Sequence, residues 1–232
     1  MSAAAPAPGT GPARQVGAGP AAVHIIIFAK APVAGLAKTR LIPALGADGA
    51  AALALRMLEH TVAAAAAAGL GGIELCRTPQ ASHPALLRLA EQYPHVALTT
   101  QGEGDLGQRM ARAFQRALRA HTQVLLIGTD APALDAALLR DAARALAAVD
   151  AVFVPALDGG YVLVGLRRNA PVLFAGIAWS TASVMQASRE RAARAGLRLA
   201  ELAPVADIDE PADLVHAPAQ WLAQAAGTAL AR

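Results

Sequence analysis

Hydrophobic and polar positions along the chain switch repeatedly between two periods, and the switches mark the elements. The opening run Val23–Ala29, VHIIIFA, is β-branched and nearly continuous, the pattern of a strand covered on both faces in a parallel sheet. After a loop rich in Pro and Gly, Asp48 is placed to cap a helix that carries Leu53, Met57 and Leu58 through to Ala68, and Gly69 ends it. A strand at 73–76, a helical stretch around Leu86, Leu87 and Leu89, and a short strand at 96–98 follow. Over 106–119 the apolar positions Leu106, Met110, Phe114, Ala117 and Leu118 recur at helical spacing, with arginines and glutamines elsewhere. A buried strand at 124–127, a helix from the Asp135 cap to 149 and a strand at 151–154 continue the alternation. Residues 161–166, after the Gly159-Gly160 turn, predict a strand and the antiparallel member of the sheet. A helix at 181–195, a strand at 197–202 and a final helix or two complete the chain. Strands alternating with helices predict an α/β fold, an open, mostly parallel sheet sandwiched by helices. No internal repeat is present. Residues 1–22, rich in Ala, Pro and Gly with Arg14 as their one charge, are expected to form a disordered tail, and 23–232 a single domain.

Composition narrows the function classes. Of 232 residues 55% are hydrophobic and 16% charged, a balance that suits a packed domain rather than a disordered chain. Aromatic residues make up 3%, too few for the base-stacking platforms of single-strand binders. The net charge of +3 comes from scattered arginines with no run of like charge, so a nucleic-acid or membrane patch is not expected and small anions are. Cys76 stands alone, which rules out an internal disulfide and a cysteine-rich zinc site. Neither the polar-interrupted uncharged stretch 169–188 nor the alanine run after Val62 has the pattern of a membrane span, and the start of the chain lacks the pattern of a signal peptide. A cytoplasmic location is expected.

In open α/β sheets, ligands bind beyond the carboxyl ends of the strands, so the chemistry is sought in the loops that follow them. The first such loop, 29–40, holds Lys30, Lys38 and Arg40, stiffened by Pro32 and turned at Gly35; these cations suit a di- or triphosphate, although a solvated loop looks the same. Ala37 precedes Lys38-Thr39 where a phosphate-wrapping P-loop needs Gly, so that motif is absent. After the strand at 124–127, Gly128-Thr129-Asp130 offers a carboxylate that could hold Mg²⁺ or Mn²⁺ against a diphosphate, or simply cap a turn. Asp158-Gly159-Gly160-Tyr161 exposes backbone amides to a sugar or phosphate and is equally a hairpin turn. Trp179-Ser180-Thr181 is a candidate acceptor contact or a helix start. The acidic stretch around Asp207, Asp209 and Glu210 is a further carboxylate source or a cap. The histidines have no ligand spacing, and no serine lies in a nucleophile elbow.

Taken together, the segments 28–32, 38–41, Gly104-Asp105-Leu106-Gly107-Gln108-Arg109-Met110, 128–130, 158–161 and 207–214 resemble, in order, the DUF2064 family of glycosyltransferase-like proteins, some labelled arsenosugar-biosynthesis glycosyltransferases. The resemblance implies the GT-A, nucleotide-diphospho-sugar transferase fold, shared with guanylyltransferases that act on phospholactate or molybdopterin. It implies a basic phosphate loop at Lys30, Lys38 and Arg40, nucleotide or acceptor contacts at Asp105, Arg109 and Thr129, and a metal-region carboxylate at Asp130. Gly159, Gly160, Tyr161, Trp179, Ser180 and Thr181 are then expected at the substrate. One departure stands out: Gly128 occupies the first position of the customary Asp-x-Asp, so Asp158 or Asp209 must supply the second carboxylate for Mg²⁺ or Mn²⁺. The expected activity is transfer of a sugar from a nucleotide-diphospho-sugar to a small acceptor, with Asp130 and Asp158 as catalytic residues. Nucleotidyl transfer from a nucleoside triphosphate to a phosphorylated acceptor is the alternative, and a non-catalytic nucleotide-binding module a second one.

Overall fold

The computed structural model describes residues 22–78 and 83–230. The tail expected at 1–22 therefore lies outside the described residues, apart from Ala22. Seven strands form one sheet: β1 (Val23–Ala29), β2 (Ile73–Arg77), β3 (Val96–Thr100), β4 (Gln123–Ile127), β5 (Ala151–Pro155), β6 (Tyr161–Leu166) and β7 (Leu199–Glu201). Six helices connect or flank them: α1 (Ile42–Ala68), α2 (Pro84–Gln92), α3 (Leu106–Ala117), α4 (Ala136–Ala148), α5 (Val184–Arg194) and α6 (Ala219–Leu230). The strand order is β3-β2-β1-β4-β6-β5-β7. Only β6 runs antiparallel to its neighbours, β4 and β5; the other pairs are parallel. The expected mostly parallel α/β sheet, with its antiparallel member at 161–166, is what the chain forms.

Alternation along β1 splits the core into two layers. Ile25 and Ile27 pack with Leu58 and Val62 of α1, Leu86 of α2 and Leu139 and Leu146 of α4 on one face. Ile26 points to the other face, where Met110 and Phe114 of α3 and Met185 of α5 cover it. A third cluster joins α1 to α6 through Leu53, Met57, Trp221 and Ala225, and includes Ile208. Residues 39–68 have the length and hydropathy of a membrane span, but here their axis breaks at Gly46 (φ 69°, ψ 169°) and they pack on the sheet, α4 and α6.

Three boundaries differ from the sequence expectation. Helix α1 begins at Ile42, earlier than expected, breaks at Gly46 and resumes after it, so Asp48 falls in the first turn of the resumed segment. Helix α5 begins at Val184 because Ser180 adopts a left-handed backbone (φ 62°) that holds 179–183 in turns. Strand β7 is shortened to three residues, Leu199–Glu201, although the Leu202 amide still donates to the Phe153 carbonyl at 2.9 Å.

Candidate functional site

Chain direction places the site. From β1 the fold steps outward to β2 and β3, then returns to the other side of β1 with β4, so the loops after β1 and β4 diverge and leave a crevice at the carboxyl edge. A cavity of about 530 Å³ opens there. Lys30 and the 36–40 loop come to it from β1, Gly128, Thr129 and Asp130 from β4, and Asp158, Gly160 and Tyr161 from the β5–β6 hairpin; Trp179, Ser180 and Thr181 line it as well. Thirteen of the fifteen sequence-predicted positions, Arg109 and Asp209 among them, thus share one cavity. Asp105 and Gly159 do not line it.

Lys38 is the centre of the acidic wall. It is the residue before a single 3-10 turn (Thr39–Leu41) and adopts a left-handed backbone, φ 47°. Its ammonium donates to Asp130 Oδ1 at 2.6 Å, Asp209 Oδ1 at 2.7 Å and the Ile208 carbonyl at 2.6 Å, using all three N–H groups. The side chain is 10% exposed against 44% for Asp130 and 43% for Asp209. Burial by itself lowers the affinity of such an amine for its proton, but Asp130 and Asp209 outweigh it and raise the pKa, so Lys38 stays charged. In this state the Lys38 ammonium, expected at a phosphate, is engaged by two carboxylates and a carbonyl. What brings Asp209 here is backbone: Val205 bonds to Pro155, Leu157 to Val205, and the Ile208 amide donates to the Asp130 carbonyl at 2.9 Å, clamping the returning chain against the β4 loop.

Two more carboxylates face the same cavity. Asp158 folds back on its own turn, its Oδ1 accepting from the Gly160 amide at 2.7 Å. Asp207 has its pKa pushed up to about 6, by burial first and then by the charges of Asp158, Asp209 and Asp130. The sequence placed Asp207 in an acidic stretch but offered no basis for separating it from its neighbours.

The same cavity is also lined by cationic and aromatic side chains. Arg109, on the first turn of α3, donates to Gln101 Oε1 at 2.9 Å, while Gln101 Nε2 ties the carbonyls of Cys76 at 3.0 Å and Ala29 at 3.3 Å. Gln101 is buried and directly follows β3, so the after-strand rule points to it although the motif comparison did not. Arg40 meets Glu210 only at 3.7 Å, both side chains being over 60% exposed. Lys30 is exposed at the mouth and forms no ion pair with another described residue. Tyr161 stands edge-on to Phe153 (5.0 Å) and Trp179 (6.4 Å), and burial drives its phenol pKa up. Trp179 comes close because Gly107 has no side chain: a Cβ there would lie 2.9 Å from the indole nitrogen.

The two expected residues that do not line the cavity have roles within their own turns. Asp105 is the N-cap of α3: Oδ1 accepts from the Gln108 amide at 2.8 Å and the Gln108 side chain accepts from the Asp105 amide at 3.1 Å, a capping box. Gly159 packs into the turn, with φ 93°, its carbonyl accepting from Met185 N at 2.8 Å; a Cβ would lie 2.2 Å from the Ala182 carbonyl oxygen.

The expected metal residues can be tested for fit. Asp130, Asp209 and the Ile208 carbonyl surround one point with oxygens, the donor type that Mg²⁺ and Mn²⁺ prefer. That point is occupied by the Lys38 ammonium. Among the described residues no three His, Cys, Asp or Glu side chains converge to hold an ion. A Cβ on Gly128 would meet only the Val162 carbonyl, at 3.9 Å, an ordinary contact, so glycine is not required there by a clash at the β-carbon. As folded, the set does not fit a divalent ion.

Comparison with known proteins agrees with this architecture. Residues 61–181 match the family model described as an uncharacterized protein conserved in bacteria, DUF2064. The chain belongs to the DUF2064 family. Among solved structures, this DUF2064 member is similar to a provisionally named nucleotide-diphospho-sugar transferase from Desulfovibrio desulfuricans G20, with 32% identity over 84% of this chain and 85% of that one and a TM-score of 0.77. It shares its fold with a nucleotidyl transferase from Methanothermobacter (16% identity, 87% and 98% covered, TM-score 0.62). It also shares it with the 4-diphosphocytidyl-2C-methyl-D-erythritol synthase of Anaerococcus prevotii (11%, 85% and 97%, TM-score 0.57). No curated protein matches the chain.

Proposed function

We propose that this protein is a transferase that moves a glycosyl group from a nucleotide-diphospho-sugar to a small acceptor. The observation that carries the reading is the cavity at the switch point, lined together by Lys30, Arg40 and Arg109 and by Asp130, Asp158, Asp207 and Asp209. The name carried by the Desulfovibrio structure supports the same class. In this mechanism the three cations take the diphosphate and stabilise the charge that builds on it as the bond to the sugar breaks. Tyr161 and Trp179 flank the sugar ring. The acceptor hydroxyl oxygen bonds to the anomeric carbon, the bond from that carbon to the β-phosphate oxygen breaks, and the hydroxyl proton passes to Asp158, whose second oxygen remains free of the Gly160 amide. The nucleoside diphosphate leaves.

A second reading, nucleotidyl transfer with release of pyrophosphate, is favoured by Lys30 and Arg40: both lie at the mouth without a close buried partner, where a third phosphate would sit. Nucleotide-sugars and nucleoside triphosphates, each offered with a panel of small alcohols and phosphorylated alcohols, separate the two. Release of nucleoside diphosphate supports glycosyl transfer, pyrophosphate overturns it, and tight binding with no product under any pairing indicates a binding module. For the leading reading, Asp158→Asn is expected to lower kcat by about 100-fold or more while donor Kd changes less than about three-fold.

A further inference from the structure

We propose that Lys38 is the resident cation of this site, its ammonium holding the place between Asp130 and Asp209 that the fold's divalent ion would take, so that the donor-free protein does not bind one there. The inference stands on the ammonium and its ligands alone and holds whichever group is transferred.

Three features of the chain argue for a built arrangement. The ammonium is enclosed by three oxygens at 2.6 to 2.7 Å, one from each carboxylate and one from the backbone carbonyl between Ile208 and Asp209, leaving no N–H unsatisfied and no open coordination position on it. The lysine reaches that point from a left-handed backbone conformation, which a β-carbon disfavours and which the surrounding loop must impose. The companion carboxylate of a metal motif is missing at Gly128, although a β-carbon there would make only an ordinary contact. One lysine and the Asp130–Asp209 pair then form a closed unit whose two ends, Lys38 and Asp209, lie 171 residues apart in the chain, and whose carboxylates are held together by the Ile208–Asp130 backbone bond. A hard divalent ion prefers the same oxygens, but with Lys38 in place it meets a like charge at the centre of the site and a side chain filling the space.

The test measures Mn²⁺ binding to the nucleotide-free protein by the loss of the free-ion EPR signal. Lys38→Gly is the informative variant because glycine accepts the left-handed backbone at position 38 without a β-carbon, and Lys38→Asn, also tolerant of that conformation, serves should the glycine variant not fold. The expected result is at least a ten-fold tighter Mn²⁺ site in the variant than in the wild type, abolished again when Asp209→Asn is added. A wild type that binds Mn²⁺ as tightly as the folded variant overturns the proposal, because Lys38 then holds nothing closed. A folded variant that gains no Mn²⁺ site also overturns it, because the oxygens then do not form a cation position. Neither result depends on turnover, so loss of the transferase reading and loss of this one are told apart by the product assay.

Discussion

Asp207 bears the cost of gathering four carboxylates against one buried ammonium. Lys38 neutralises Asp130 and Asp209 directly, and the uncompensated repulsion together with burial shows in the proton affinity of Asp207, raised from 3.8 to about 6. A carboxyl group whose pKa rises on folding destabilises the folded state above both values and has no effect below both. A shift of that size corresponds to about 3 kcal/mol, which solvent screening of this half-buried group reduces to about 1 kcal/mol. Asp207→Asn is accordingly expected to raise the melting temperature by about 2–4 °C at pH 7.5, with the gain fading as the pH approaches 3.8. Calorimetry at the two pH values checks it, and a variant that melts lower at pH 7.5 would mean that the carboxylate makes a favourable contact instead. At this scale the sequence located the candidates without their pairings. Lys38, Asp130 and Asp158 could be picked from loops after strands, but that Lys38 faces Asp209 across most of the chain could not.

Helix α3 shows how an element connects a motif to the cavity. Its Asp105–Gln108 capping box satisfies amides at the helix start, the next turn carries Arg109 and Met110 to the cavity, and Gly107 admits Trp179. Asp105 therefore supports the site through the helix it caps. Asp105→Ala is expected to cost about 1 kcal/mol of stability, read from urea midpoints, while leaving donor affinity within about two-fold of wild type. A large loss of affinity at unchanged stability would restore the direct contact that the family motif suggested. The cap was legible as an Asp followed three residues later by Gln, ahead of an apolar helical period, yet the family pattern drew attention to binding instead. The early start of α1 was not legible, because a helix that continues past Gly46 at φ 69° depends on packing against α6 and not on local propensity.

Across the whole molecule, a buried polar cluster far along the chain from the acidic wall ties four elements together. Glu74 of β2 accepts from Arg116 of α3 at 2.7 and 2.5 Å and from Thr99 of β3 at 2.6 Å, and lies 3.5 Å from His24 of β1, which stacks on His121 at 4.3 Å. Burial alone would raise the Glu74 pKa, but the hydrogen bonds from His24, Arg116 and Thr99 prevail and hold it well below its ordinary 4.5. A carboxylate depressed in this way stabilises the fold above the unfolded value and loses that contribution as the pH falls through the folded one. Glu74→Gln is expected to cost about 3 kcal/mol at pH 7, the low end for a broken buried pair because Arg116 is 44% exposed, and to differ less from wild type at pH values well below 4.5. Denaturant midpoints at pH 7 and pH 3 test both parts; an equal deficit at the two would remove the charge from the explanation.

What the amino-acid sequence determined by itself was the set of elements and the class of sheet. Period-two and continuous apolar runs, helical spacing in α3 and Asp135 as a cap report local backbone preference and one-sided burial, which act over a few residues and leave their trace in the order of side chains. It also determined that the ligand edge lies after the strands, because that follows from a parallel sheet alone. The strand order, the crevice between the β1 and β4 loops, the return of Asp209 to Lys38 and the filling of the cation position by that lysine were decided only in three dimensions. They depend on which distant segments bury against one another, and a backbone bond from Ile208 to Asp130 leaves no periodicity behind in either segment.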